Sequence, residues 1–215
     1  MIVTEQKPLG EILSAIKGFE KLVVIGCGSC ATECQTGGEK EVEQLSRKLQ
    51  ENGYTILDKF IPEVNCDERI VKLAYRDHRG AVEKADALIV LSCGVGVQVW
   101  ASVANKFVVP GLNTLFSGKV ERIGRYYQFC RQCGNCILHL TGGICPIARC
   151  SKGLLNGPCG GMYNGKCEVS GWTRDCAWYL IYKRLKELNR LDAFTEVNLP
   201  KDWSKVNAYQ EVLTR

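Results

Sequence analysis

Short continuous apolar runs alternate with stretches of helical spacing over residues 21–114. Lys21-Leu-Val-Val-Ile-Gly26 is apolar at every position between a lysine and a glycine, which predicts a strand buried on both faces. Glu39 to Gln50 follows with Val42, Leu45 and Leu49 at helical spacing, giving a strand–loop–helix unit. Tyr54 through Ile61 predicts a second strand, Asp67 to Arg79 a second helix, and Ala87-Leu-Ile-Val-Leu91 a third buried strand. A helix over Val95 to Asn105 and a short strand, Phe107-Val-Val-Pro-Gly111, complete the pattern. Such alternation predicts an α/β fold built on a doubly wound, flavodoxin-like parallel sheet. Ahead of it, Leu9, Ile12, Ile16 and Phe19 recur at helical spacing and predict a packed lead-in helix from Leu9 to Phe19.

From Phe116 the pattern lapses. Residues 128–167 hold eight Gly and seven Cys with no sustained period of either kind. A segment so poor in periodic apolar positions does not build its own core, and small scaffolds of this kind are commonly stapled by metal. After Cys176 a helix resumes, with Trp178, Ile181, Leu185 and Leu188 able to share a face. Its carboxyl-terminal end carries Lys183, Arg184, Lys186 and Arg190, where the macrodipole favours cations. The stretch from Asp192 to Arg215 is weakly patterned. The expected organisation is an α/β domain over 1–115, a Cys-rich domain over 116–191 and a tail over 192–215 that lies on a partner.

Composition sharpens this picture at one residue type. The chain has 215 residues, 46% apolar and 24% charged, in the range of globular proteins, and its apolar runs are too short to span a membrane. Met1 to Gly18 carries two Lys and two Glu with no continuous apolar stretch, unlike a secretory signal, so a cytoplasmic location is expected. Cysteine, at 13, is the anomaly. In a reducing cytosol a disulfide framework would not persist, so dense Cys points to metal. With only two His, His78 and His139, the ligands are thiolates, which favours iron–sulfur clusters or Cys-only zinc.

Five Cys fall in the α/β half: Cys27, Cys30 and Cys34 after the first strand, Cys66 after the second and Cys93 after the third. Loops that follow neighbouring parallel strands emerge at one carboxyl edge, so these five are expected to converge there. A [4Fe–4S] cluster takes four thiolates, which leaves one of the five over. Three other readings stand beside this one. Cys66 and Cys93 as ordinary buried hydrophobes are one; Cys27-Gly-Ser-Cys30 as a redox pair is another. The third has Ser29, Thr32 and Thr36 cradling a flavin phosphate.

The other eight form the run C-x2-C-x2-C-x8-C-x4-C-x8-C-x7-C-x8-C through Cys130, Cys133, Cys136, Cys145, Cys150, Cys159, Cys167 and Cys176. The tight triplet with a later Cys145-Pro146 is similar to the bacterial ferredoxin signature, with a longer last gap. Eight thiolates suit two further clusters, three in all, with zinc at one carboxyl-terminal site as the alternative. His139 reads as structural. Residues 115–170 hold seven basic residues (Lys119, Arg122, Arg125, Arg131, Arg149, Lys152, Lys166) against Glu121 and Glu168, while the whole chain is +5. Such charge offsets the net 2− of a thiolate-ligated cluster, and Gly142, Gly143, Gly160 and Gly161 admit backbone amides close to its sulfides. The segment lacks the C2H2 pattern and any extended basic run, so nucleic acid is not an expected partner.

Taken together, Gly26-Cys-Gly-Ser-Cys30 with Cys34, Gly37-Gly-Glu-Lys40, Ser92-Cys-Gly-Val-Gly96, Pro110-Gly-Leu-Asn-Thr114, Thr141-Gly-Gly-Ile-Cys-Pro146 and Leu154-Leu-Asn-Gly-Pro-Cys-Gly-Gly161 resemble the iron–sulfur small subunit of acetogen-type methylenetetrahydrofolate reductase. The resemblance spans about residues 15–190. It implies an electron-transfer subunit, without a folate site, that pairs with a flavin-containing TIM-barrel subunit. That partner reduces methylenetetrahydrofolate to methyltetrahydrofolate, with electrons drawn from ferredoxin or a larger electron-input complex. No G-x-G-x-x-G fingerprint, paired carboxylates or nucleophile triad stands out, so catalysis is expected to belong to the partner. Two competing classes are a Cys-only zinc scaffold that docks a partner, and an accessory iron–sulfur protein of corrinoid or CO metabolism.

Overall fold

The apolar runs form the middle of a parallel sheet. In a computed structural model that describes residues 1–204 and 206, the chain divides into two compact units, Met1–Tyr126 and Tyr127–Arg215. The first unit runs β1 (Ile2–Gln6), α1 (Leu9–Ala15), β2 (Lys21–Ile25), α2 (Cys30–Glu33), α3 (Glu39–Glu51), β3 (Thr55–Phe60), α4 (Glu68–Asp77), α5 (Arg79–Lys84), β4 (Ala87–Val90), α6 (Gly94–Ala104), β5 (Phe107–Pro110) and β6 (Leu112–Arg122), and β7 (Arg125–Cys130) spans the division. Four strands pair in parallel in the order β3-β2-β4-β5. That is the order of the first four strands of a flavodoxin-like sheet, with its switch point between β2 and β4.

Both faces of this sheet are covered, as the apolar central strands β2 and β4 require. Leu22 and Val24 of β2 face a layer containing Ile12 and Ile16 at α1 and Val42, Leu45 and Leu49 of α3. Val23 and Ile25 face the opposite layer, with Val71 of α4, Val82 of α5 and Trp100 of α6. The lead-in helix stops at Ala15, short of Phe19, because the chain turns there through Gly18 at φ +91°. The second predicted helix is broken at His78, whose ring stacks on Phe60 and bonds Asp58 at 2.7 Å, and α5 begins after it.

Two strands that periodicity does not pick out, β1 and β6, pair antiparallel, and the separate sheet has the order β1-β6-β7. The expected boundary at 115/116 falls inside β6, and the two compact units divide at 126/127. Residues 2–6 pair with 112–117, so the chain belongs to the first unit as far as Tyr126.

In the second unit, regular structure amounts to 3-10 turns at Leu138–Leu140 and Glu168–Ser170, α7 (Pro146–Arg149), α8 (Ala177–Glu187) and α9 (Asp192–Thr195) among the described residues. Trp178, Ile181 and Leu185 of α8 are buried, while Leu188 lies exposed beyond the helix end. Phe194 of α9 packs edge-on against Trp178 and Tyr182. This apolar cluster is small, with Cys176 and Cys150 among its members. Part of the tail expected over 192–215 is thus α9, and residues 205 and 207–215 lie outside the described residues. Among the described residues, no helix is long and apolar enough to cross a membrane.

The two-layer burial sets a stability test. Ile89→Ala, at a fully buried position of β4, should lower the free energy of urea unfolding by about 2–5 kcal/mol, whereas Leu73→Ala, at a 48% exposed position, should change it by less than about 0.5 kcal/mol. Far-UV circular dichroism of the metal-free chain reads both.

Candidate metal centres

The carboxyl edge of the parallel sheet gathers four of the five amino-terminal cysteines around one buried asparagine. The Asn65 side chain, fully buried, donates from Nδ2 to the Gly26 carbonyl at 2.8 Å and so ties the loop after β3 to the end of β2. Gly26 N–H donates to Phe60 O and Gly28 N–H to Pro62 O, both at 2.9 Å, and these bonds continue the seam. On the other side of Asn65 lies the turn into α6. A Cβ at Gly96 would overlap the Ser92 hydroxyl and come within 2.7 Å of Asn65 Cβ, so only glycine admits this approach. Gly26, Asn65 and Ser92 each immediately precede a cysteine: Cys27, Cys66 and Cys93.

The sulfurs sense one another. Desolvation pushes the Cys66 thiol up from its ordinary value, and the charges of Cys93, Cys27 and Cys30 push it the same way. Cys30 opens α2 and Cys34 follows its end, one turn apart. Cys30 Sγ accepts the Ile2 N–H at 3.4 Å and Cys34 Sγ–H donates to Ile2 O at 3.8 Å. Of the hydroxyls considered for a flavin phosphate, Thr32 donates to Cys27 O at 2.7 Å, and Thr36 is bonded to Ala31 O at 3.2 Å and to Thr4 Oγ1 at 2.7 Å. Those two groups are committed to holding the cysteine loop.

In the second unit the eight cysteines separate into two quartets. Cys130, Cys133, Cys136 and Cys145 line one cavity of about 220 Å³, together with Phe129, Leu138, Ile147 and Lys201. Cys150, Cys159, Cys167 and Cys176 line another of about 20 Å³, beside Leu154, Met162 and Trp178. In the first quartet Gln132, at φ +54°, turns its N–H onto Cys130 Sγ at 3.2 Å. The Lys201 ammonium is buried against Asn135 O at the same cavity. In the second, Cys159 Sγ lies 3.5 Å from Glu168 Oε1, and Glu168 pairs with Lys152. This pairing holds the Glu168 carboxyl below its usual range and raises the Lys152 ammonium. Lys166 pairs with Asp175 at 2.7 Å and Arg125 with Glu121 at 3.1 Å, so part of the basic excess is neutralised locally. Arg149 lies over the Phe129 ring at 5.6 Å, and His139 is exposed on its turn.

Among the described residues, no three or more His, Cys, Asp or Glu side chains are gathered tightly enough to hold a metal ion as they stand. The donor chemistry nevertheless fits a cluster at two places. Four sulfurs around one tetrahedral zinc sit about 3.8 Å apart for Zn–S bonds of about 2.3 Å, whereas a four-iron core spreads its thiolates wider. The 220 Å³ cavity has room for the wider arrangement. The cavity of about 20 Å³ leaves room for little more than one water-sized particle. Ile2, Asn65 and Lys201 carry no sequence signal for these sites. The first lies in a strand without clear alternation, the second in a loop and the third in the weakly patterned tail.

If Asn65 knits the three loops, Asn65→Ala and Gly96→Ala should each lower unfolding free energy by about 1–3 kcal/mol. Both should also free Cys66 from Cys27 and Cys93, read as a lower yield of a Cys27–Cys66 crosslink with a short bis-thiol reagent in the metal-free chain.

Comparison with known proteins bears on the second half of the chain. Residues 109–204 match the family described as "Methylene-tetrahydrofolate reductase C terminal". All eight carboxyl-terminal cysteines, and Lys201, fall inside the match, while the five at the sheet edge lie outside it. No curated protein and no solved structure matches the chain. The carboxyl-terminal part of this protein, from the end of β5 onward, is therefore similar to the carboxyl-terminal region of methylenetetrahydrofolate reductase.

Proposed function

We propose that this chain is the electron-transfer subunit of a methylenetetrahydrofolate reductase complex. It relays single electrons from ferredoxin or a larger electron-input complex to the flavin of a TIM-barrel subunit that reduces methylenetetrahydrofolate to methyltetrahydrofolate. The observation that supports this reading is the division of the eight carboxyl-terminal cysteines into two cavity-lining quartets, one with room for a cluster, beside five cysteines in the loops of the parallel sheet. The similarity of residues 109–204 to the reductase family supplies the reaction context.

A [4Fe–4S] group, when bound, supplies one-electron chemistry at a potential set by its surroundings. The chain's own residues supply those surroundings. Four of the five sheet-edge cysteines hold one cluster, and Cys130, Cys133, Cys136 and Cys145 hold the other. The Gln132 amide on Cys130 Sγ and the buried Lys201 ammonium both oppose the negative charge of the ligated group, which raises its potential. Cys150, Cys159, Cys167 and Cys176 hold a single zinc ion in this proposal, since their cavity is so small. That site stabilises the second unit, whose apolar cluster is too small to order the loops around it.

A second reading has specific support in the same small cavity: a Cys-only zinc scaffold that docks a partner and carries no electrons. Metal analysis separates the two. Anaerobically purified protein should hold about eight iron atoms with matching sulfide and about one zinc per chain. About twelve iron would place a cluster at the third group as well, and zinc without iron would leave the scaffold reading.

The relay role has its own test in the assembled complex. Cys133→Ser should lower ferredoxin-driven reduction of methylenetetrahydrofolate at least about tenfold. Turnover with a dye that reduces the partner flavin directly should fall much less. Equal loss with both donors, in a complex that is intact and flavin-replete, would reduce the chain to a structural part.

A further inference from the structure

The proposed sheet-edge cluster needs four of five cysteines, and the edge of β1 distinguishes two that sequence leaves equivalent. β1 pairs with β6 on one side only. Met1 meets Gly118 there, with Gly118 N–H donating to Met1 O at 3.0 Å and the Met1 amino group donating to Gly118 O at 3.3 Å. Backbone polar groups alternate sides along a strand, so the N–H and C=O of Ile2 point away from β6. An unpaired strand edge there would need a partner, and the cysteine loop provides it. Farther along, the Thr4 and Thr36 hydroxyls bond at 2.7 Å and Gln6 Nε2 donates to Thr36 O at 3.1 Å, which keeps this edge in register with the loop.

The two groups of Ile2 make opposite demands on sulfur. Its N–H only donates, and Cys30 Sγ accepts it at 3.4 Å. Its C=O only accepts, and Cys34 Sγ–H donates to it at 3.8 Å, in a largely buried position. A metal-bound thiolate keeps lone pairs for an N–H donor but has no proton to give a carbonyl.

We propose that the outer edge of β1 selects the ligands of the sheet-edge cluster: Cys27, Cys30, Cys66 and Cys93 bind it, the Ile2 amide donates to the Cys30 sulfur, and the Ile2 carbonyl retains Cys34 as a hydrogen-bonding thiol outside the set. The assignment rests on the electron-relay reading and adds a tuning role for the amino-terminal strand. An amide hydrogen bond to a ligand sulfur draws charge from it and raises the potential of the cluster. Removal of that bond lowers it.

The test uses the full chain, purified anaerobically. Cys30→Ala should lower iron by four atoms per chain, one cluster's worth. Cys34→Ala and Cys34→Ser should leave iron unchanged, with Ser able to keep the bond to Ile2 O. Ile2→Pro deletes the one N–H that faces Cys30 and spares the ladder to β6. It is made behind a short amino-terminal extension, in variant and reference alike, so that residue 2 keeps its peptide bond. The variant should retain its iron, and a spectroelectrochemical titration should show a lower midpoint potential for the signal that Cys30→Ala abolishes. Ile2→Ala, which keeps the N–H, should not shift it. Loss of four iron atoms in both Cys34 variants overturns the assignment. An unshifted potential in folded, iron-replete Ile2→Pro overturns the tuning role. If Ile2→Pro does not fold, the Cys34 pair still decides the ligand set. A wild-type chain without iron or sulfide fails the electron-relay reading instead, before any variant is compared.

Discussion

The hydrogen bond from Asn65 Nδ2 to the Gly26 carbonyl is the constraint on which the sheet-edge site depends. It is buried, it joins loops that follow different strands, and its side chain packs against the turn that opens α6 through a contact only glycine allows at position 96. Parallel strands bring the three loops to one edge, but they leave the loops free to splay in solvent. The asparagine replaces solvent as the hydrogen-bonding partner of the β2 end and fixes the spacing of the cysteines that flank it. Its Oδ1 is buried with no hydrogen-bond partner. Such a desolvated acceptor is costly to keep, and sites that carry one are commonly held for function.

The second unit is organised on a different principle. Its one apolar cluster centres on α8, and most of the chain around it is glycine, turn and cysteine. Order there is local: Gln132 takes the left-handed conformation between two cysteines, and short 3-10 turns follow one another without a shared core. Loops of this composition bury too little apolar surface to offset their conformational entropy. The eight cysteines divide by position in the chain, because each of two cavities is lined by four sulfurs from consecutive stretches.

The parallel strands β2, β4 and β5 were legible in the sequence as short apolar runs, the pattern of strands covered on both faces, and β3 as a mixed run that includes Asp58 and Lys59. The helices α3, α6 and α8 were legible for the same kind of reason, one apolar stripe in each case. β1, β6 and β7 were not. Their residues mix exposed and half-buried positions, so no clean alternation marks them. The pairing of β1 with β6 joins residues more than a hundred positions apart, which no local window contains.

Residue type and spacing alone determined that five cysteines lie in the half built on a parallel sheet and eight in a loop-rich segment, and that the first half alternates strands and helices. These follow from composition and from periods of two and 3.6, which are properties of the local chain. Tertiary structure decided the rest: Asn65 as the knot among three loops, the split of the eight into Cys130–Cys145 and Cys150–Cys176 quartets, the buried Lys201 and the two-sided contact of Ile2 with Cys30 and Cys34. Each of these depends on which backbone groups remain unpaired once the strands and helices have formed, and that is settled only by the three-dimensional pairing itself.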